Sequence, residues 1–314
     1  MRHKMTVMQF VSKYGAACFL VVLILGNALF TKNFISINVV WNLITQGFVT
    51  LVVSLGMMLA ISSGGIDLSV GSVMPVAAMI TALNLEQGIA SAIFMGLGAA
   101  LLLGCFNGMV IGVFKIQPFI VTLAMYMSAR GLAQLTNHSM VCNFVNESFT
   151  NLSRYRIGGE VPVQLVIMPI FILLMFVVIK KSSIGRYIQV VGDNSEAARL
   201  SGIHIVGTTV FVYGMCSLLA GAAGILEIAR VGASDPNTLG LHVELDAIAA
   251  VVLGGTPMSG GKINLSGTVF AAFVMQLIVM TANMNNISAQ YAYIVKAVVI
   301  ILAVILQRRE SLKR

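Results

Sequence analysis

The chain has 314 residues, of which 58% are hydrophobic and 10% charged, with a formal net charge of +8. Soluble domains carry about a quarter charged residues, so this composition excludes a water-soluble globular protein and indicates an all-α polytopic membrane protein. The positive balance does not indicate nucleic acid, because the cations flank apolar runs instead of clustering on one solvated face.

Apolar runs long enough to cross a hydrocarbon core as helices recur from end to end, where barrel strands would be short and alternating. The first, about 14–30, follows a basic segment like that of a signal peptide, but lacks a small-residue cleavage site and reads as a retained helix. Runs at about 42–62 and 66–83 follow, and between them the stretch ISSGGIDLSVGS at 61–72 places a carboxylate, Asp67, after two glycines. A carboxylate inside a lipid-embedded helix costs about 2.5 to 3.5 kcal/mol, so Asp67 is expected at a polar cavity, a partner or an aqueous edge. Gly64 and Gly65 permit a helix break, and the backbone groups it frees need partners such as Ser62, Ser63, Asp67 and Ser69. Two readings stay open and are compatible: the broken segment lines the route of a polar solute, or Asp67 caps the helix that starts near Leu68.

The fourth run, about 89–114, carries Gly96, Gly98, Gly104, Gly108 and Gly112, and the spacings of four among them, as from Gly104 to Gly108 to Gly112, bring helix backbones together. A fifth run at 117–136 leads to the largest outer loop, 137–160, and a sixth lies at 161–179. The inner segment 182–204 then supplies Asp193 as an N-cap, Glu196 three residues later as a capping-box partner, and Gly202 as a stop. A short cytoplasmic helix is expected there, acting either as an ordinary connector or as a peg that passes displacement to the spans. The remaining runs are 205–229, 243–257, 264–283 and 290–306; that at 243–257 is short and opens with Glu244 and Asp246.

Ten spans with both termini cytoplasmic put thirteen Lys and Arg inside, four outside (Lys32, Arg154, Arg156 and Arg230) and two, Arg130 and Lys296, within spans. This is the bias that sets membrane orientation. The stretch LAISSGGID at 59–67 resembles LAGAAGILE at 219–227 in a span of opposite direction, the pattern of an inverted repeat. GGIDLSVGSV at 64–73 also echoes GGKINLSGTV at 260–269, read as shared turn chemistry. The four cysteines show no disulfide or metal spacing, and His3, His138, His204 and His242 are scattered, so no catalytic constellation presents itself. TPMSGGKI at 256–263 lacks the first glycine and the final hydroxyl of a phosphate-cradling loop.

SGGIDLSVGSV at 63–73, GRYIQVVGDNSEAARLSGI at 185–203 and ELDAIAAVVLGGTPMSGG at 244–261 resemble the permease subunit of monosaccharide ABC importers of the ribose type, with similarity over about 38–307. The resemblance implies a single ten-helix permease domain over 1–314 with pseudo-symmetric inverted halves in a bacterial inner membrane. It also implies a second permease copy, a pair of cytoplasmic ATPase subunits that bind ATP and Mg, and a periplasmic sugar-binding protein. In that family the segment matching Gly192, Asp193, Asn194, Glu196, Ala197, Ala198, Arg199, Ser201 and Gly202 is the helix that seats on the ATPase. Two features depart from the family: Lys262 and Asn264 stand in an expected glycine-rich turn, and the loop 137–160 has no counterpart.

The resulting expectation is a permease subunit, itself neither an enzyme nor a cofactor binder, that moves a pentose or hexose inward. Gly64, Gly65, Asp67, Ser69, Asn107, Glu227 and Asn283 are candidates for the substrate pathway, and Arg154, Arg156 and Arg230 for docking the binding protein. The competing expectation is a stand-alone secondary carrier or channel that uses Asp67 and Glu227 as ion sites.

Overall fold

The computed structural model describes residues 7–311; Arg2, Lys4, Lys313 and Arg314, which entered the charge sorting, lie outside the described residues. A helix overlaps each of the ten apolar runs. In the first half these are α1 (Val7–Phe30), α2 (Ile37–Ser62), α3 (Val70–Leu83), α4 (Ile89–Phe114) and α5 (Pro118–Thr136), followed by a short α6 (Glu147–Arg154) in the large loop. The second half holds α7 (Gln164–Lys180), α8 (Ser183–Asp193), α9 (Ser195–Leu200), α10 (Ile205–Val231), α11 (Val243–Leu253), α12 (Leu265–Met284) and α13 (Ala289–Ser311).

By length and composition α2, α4, α10 and α12 each suffice to cross a membrane, and α7 with α8 forms a further candidate bent by 69°. With 14 and 11 residues, α3 and α11 fall short of the roughly 20 residues a straight crossing needs. One boundary of each expected run differs: α3 begins at Val70, not 66, because 63–69 is turn and irregular backbone, and α11 starts at Val243 as expected but ends at Leu253, not 257, where Gly254 and Gly255 begin a turn.

The centre of the bundle is α10, which packs along α4, α3 and α2, while α12 packs on α2, α1 and α11. Close approach of α4 to α10 depends on missing side chains: a Cβ at Gly108 would stand 2.5 Å from the Val210 Cα, and one at Gly104 would collide with the Tyr213 carbonyl. Gly98, on the same helix but out of register with that spacing of four, faces open space. The buried apolar residues form a main cluster around α2, α10, α11 and α12, and a second one around α3, α4, α5 and α10.

The large loop is more structured than its sequence suggests. Besides α6, it contains β1 (Cys142–Asn143), which pairs with β4 (Ala233–Ser234), and a small hairpin of β2 (Arg156–Ile157) with β3 (Val161–Pro162). The two stretches that resemble an inverted repeat take different conformations: 59–67 runs off the end of α2 into a turn, whereas 219–227 is continuous helix within α10.

Candidate functional sites at the two ends of the bundle

At the end where α2 and α8 finish and α12 starts, three loops meet. Ser63 closes α2, Gly64 adopts φ +84°, and Gly260 and Gly261 adopt +85° and +79°. The Gly261 amide donates to the Ser62 carbonyl at 3.0 Å, and the Ser62 hydroxyl donates to the Lys262 carbonyl at 2.9 Å. Gly192, near the end of α8, fits against this junction because it has no Cβ: one placed there would collide with the Ser62 carbonyl and lie 2.8 Å from the Gly261 amide. The echo between 64–73 and 260–269 is therefore physical, since both stretches turn through left-handed glycines into a helix and pack on one another.

Below that junction, Asp67 is fully buried. One of its oxygens accepts from the Ser69 amide at 3.0 Å and the Ser69 hydroxyl at 2.5 Å, and Asn107 of α4 donates to that same hydroxyl at 3.0 Å. Thr122 of α5 donates to the Ile66 carbonyl at 3.1 Å, closing the break against a third helix. The Cys216 thiol of α10 lies beside the carboxylate, and a Cβ on Gly65 would collide with the Tyr213 hydroxyl. Of the pathway candidates, Gly65, Asp67, Ser69 and Asn107 thus come together as one buried polar knot, while Gly64 is exposed at the junction with Gly192 and Gly260. Its local chemistry is an Asx turn leading into α3, with Asp67 two residues before the first bonded amide. Nothing in a single sequence marks Tyr213 or Cys216 as its partners, because only the packing of α10 on α2 and α3 brings them there.

The short helix expected near Asp193 is present as α9, but its cap is different. Asn194, not Asp193, is the N-cap, and its side-chain oxygen accepts from the Glu196 and Ala197 amides, both at 3.0 Å. Glu196 does not complete a capping box; it grips Arg199 through two bonds of 2.9 and 3.1 Å. Asp193 instead ends α8, with its carboxylate close to Gly261. The shift has a simple cause: α8 already satisfies the Asp193 position as helix, so the first residue free to leave helical geometry is Asn194, at φ −155°. Gly202 stops α9 at φ +79°, and the Ile203 amide reaches back to the Ala198 carbonyl at 3.1 Å, the bond that closes a Schellman end. The Arg199 guanidinium, by hydrogen bond and charge, holds the Glu196 carboxyl below its ordinary value, and Glu196 in turn raises Arg199.

At the opposite end a cavity of about 440 Å³ opens between α2, α10, α11, α12 and α13. Its walls carry Glu227 and Arg230 of α10, Asp246 of α11 and Lys296 of α13, with Gln46 and Gln276 from α2 and α12. Arg230 pairs with Glu227 at 2.5 Å, Lys296 reaches both oxygens of Asp246 at 2.7 Å, and the Gln276 amide donates to Gln46 at 3.0 Å. The loop 235–242 forms one rim, and Arg130 of α5 clamps it by donating to the carbonyls of Pro236 at 3.1 Å, Leu239 at 2.7 Å and, on α3, Gly71 at 3.0 Å. Asp235 organises the same rim: burial raises its carboxyl, but bonds from Thr238 and Asn237 outweigh that and leave it below its ordinary value.

Glu227 is the one pathway candidate on this cavity. Asn283 is exposed and does not line it. Lys296 and Asp246 escaped the sequence reading as a pair because they are 50 residues apart. The available signal was that both are charges set within apolar runs, which call for a partner. Of the docking candidates, Arg154 is exposed and caps the end of α10, donating to the carbonyls of Arg230 at 2.7 Å and Val231 at 2.6 Å. Arg156 is exposed and holds the Glu160 carbonyl at 2.9 Å, and Arg230 is held by Glu227.

Apolar helices around a charged cavity at one end and a broken, glycine-packed junction at the other define a membrane-embedded permease. The chain belongs to the family described as branched-chain amino acid transport system / permease component, whose model matches residues 39–304. It is 39% identical to a ribose import permease of Escherichia coli strain K12, over 93% of this chain and 92% of that protein. It is also 34% identical to a galactofuranose transporter permease of the same strain, over 81% of this chain and 75% of the relative. A fructose import permease of Bifidobacterium longum is 35% identical over 82% and 74%. No solved structure matches the chain.

Proposed function

We propose that this chain is the membrane permease subunit of an ATP-driven importer that carries a neutral monosaccharide, a pentose or hexose, across a bacterial inner membrane. The relatives above bear names of ribose, galactofuranose and fructose importers, which supports a sugar as cargo. The observation that carries the reading is the placement of the 440 Å³ cavity, with paired charges on its walls, at one end of the bundle and α9 at the other. That volume lies within the range of small-molecule sites.

In this reading ten spans form two inverted halves, with both termini and α9 on the cytoplasmic side, which the excess of Lys and Arg there supports. A helix overlapping every expected run supports the count. Cytoplasmic ATPase subunits, which hold ATP and Mg, seat on the segment Gly192 to Gly202, and Glu196 and Arg199, both fully exposed, present charge to them. A sugar-binding protein docks on the outer face, where Arg156 is the freest of the three arginines and Arg154 and Arg230 shape the rim. A second copy of the permease completes the pathway.

Movement of α9 reaches the spans through Gly192, which rests on Ser62 and Gly261 at the break between α2 and α3. Asp67, Ser69 and Asn107 then hold the broken segment together as a unit. Their bonds to one another favour a structural role over that of an exposed ion site, and Glu227 is likewise neutralised by Arg230. These pairings weigh against a gradient-driven carrier. The test is reconstitution into proteoliposomes. Sugar should accumulate only with ATP, the ATPase and the sugar-loaded binding protein; accumulation by the permease alone under an ion gradient would overturn the proposal.

A further inference from the structure

Resting on the sugar-permease reading, we propose that Asp246, Lys296 and Tyr293 form a cargo-recognition subsite in the cavity, built for a neutral polyol in preference to an anionic sugar. Lys296 is 5% exposed, and its ammonium lies 2.7 Å from each oxygen of Asp246 on a neighbouring helix. Glu227 and Arg230 close a second pair on the same cavity, and the amides of Gln46 and Gln276 a third.

Both cations on these walls thus already face a carboxylate, yet neither pair is exhausted. A carboxylate has about four lone-pair sites, an ammonium three N–H donors and a guanidinium five. Hydroxyl groups, which donate and accept at once, can insert their bonds into such paired walls without breaking a pair. An anionic cargo gains less: beside each cation its oxygens also meet a carboxylate, and taking over the whole cation would mean displacing Asp246 or Glu227 and leaving a carboxylate unpaired in a partly buried site, a costly arrangement. Tyr293, half exposed, sits on α13 one turn before Lys296 and contacts His242 edge-on with ring centroids 5.6 Å apart. It offers an aromatic surface for the apolar C–H side of a sugar ring, while the ion pair meets the hydroxyls. The pair also ties α11 to α13, so cargo bonding there meets two helices at once.

A pair that served packing alone would tolerate replacement by neutral side chains of similar size, which is often neutral or stabilising at buried ion pairs. The complete importer in proteoliposomes, with its ATPase and sugar-loaded binding protein, separates the cases. In the double variant Asp246→Asn with Lys296→Met, binding-protein-stimulated ATP hydrolysis should stay within about twofold of wild type while sugar imported per ATP falls at least about tenfold. Tyr293→Ala, at a half-exposed ring, should show the same split and provides the test if the double variant fails to assemble. Wild-type sugar import per ATP in the double variant, or in Tyr293→Ala when only that protein assembles, overturns the subsite. A wild-type complex that imports no monosaccharide instead defeats the broader functional reading, a different result from intact import by the variants.

Discussion

Replacing Gly192 with alanine tests the junction between α8 and the break after α2. In an unconstrained helix the change should stabilise by about 0.8 to 1.0 kcal/mol, since alanine is the better helix former. Here the new Cβ meets the Ser62 carbonyl at far less than van der Waals separation and stands 2.8 Å from the Gly261 amide. Relief requires α8 to move away, which stretches or breaks the 3.0 Å bond between that amide and that carbonyl. Overpacking costs about 1 to 3 kcal/mol, and an orphaned buried carbonyl about 1 to 3 kcal/mol more. The net is a loss of about 1 to 5 kcal/mol, opposite in sign to the helix-propensity effect. Thermal unfolding of the purified protein in detergent measures it: the midpoint should drop by several degrees for Gly192→Ala. Gly98→Ala on α4, where a Cβ meets nothing within 4 Å, should hold or raise it. A midpoint that stays level or rises in Gly192→Ala would refute the close packing of these loops.

Further outcomes follow from the same geometry. Gly202→Pro cannot adopt φ +79° and loses the amide bond to Arg199, so the complete importer should lose most sugar-stimulated ATPase activity while the permease still inserts; normal uptake would count against α9 as the ATPase contact. Glu196→Lys replaces a pair with a repulsion at Arg199 and should weaken ATPase co-purification with little change in thermal midpoint, because the pair is exposed. Arg130→Met strips three carbonyls of their donor, and amide exchange across 235–242 should accelerate at least about tenfold; unchanged exchange would remove the clamp. The depressed Asp235 carboxyl contributes stability that is complete above its ordinary value of 3.8 and fades as acid titrates through the lower folded value. Exchange at Asn237 and Thr238 should therefore quicken only in that acidic window, and Asp235→Asn should abolish the dependence.

Much of the molecule was legible in its residues. The apolar runs located a helix at every expected position because a span must satisfy its own backbone groups in lipid, which forces long uninterrupted helical sequence. Gly64 announced the break, and Gly202 the stop, because few other residues adopt left-handed backbone without strain, while Gly65 is needed for the close approach of Tyr213. The cap was misplaced by one residue, at Asp193 instead of Asn194, since both side chains serve the role and only the end of α8 decides between them. Arg154 read as a free outer charge, yet the chain spends it on the carbonyl end of α10 from 76 residues away.

Membrane class, helix positions and the turn chemistry of the two glycine-rich stretches were thus fixed locally, by hydropathy and by backbone sterics acting within a few residues. The partners of Asp67, the pairing of Asp246 with Lys296, the cavity and the seat of Gly192 were decided only by tertiary structure. Each depends on which faces of distant helices meet, and a buried polar group takes whatever partner that packing brings within about 3 Å, information that no local window of sequence contains.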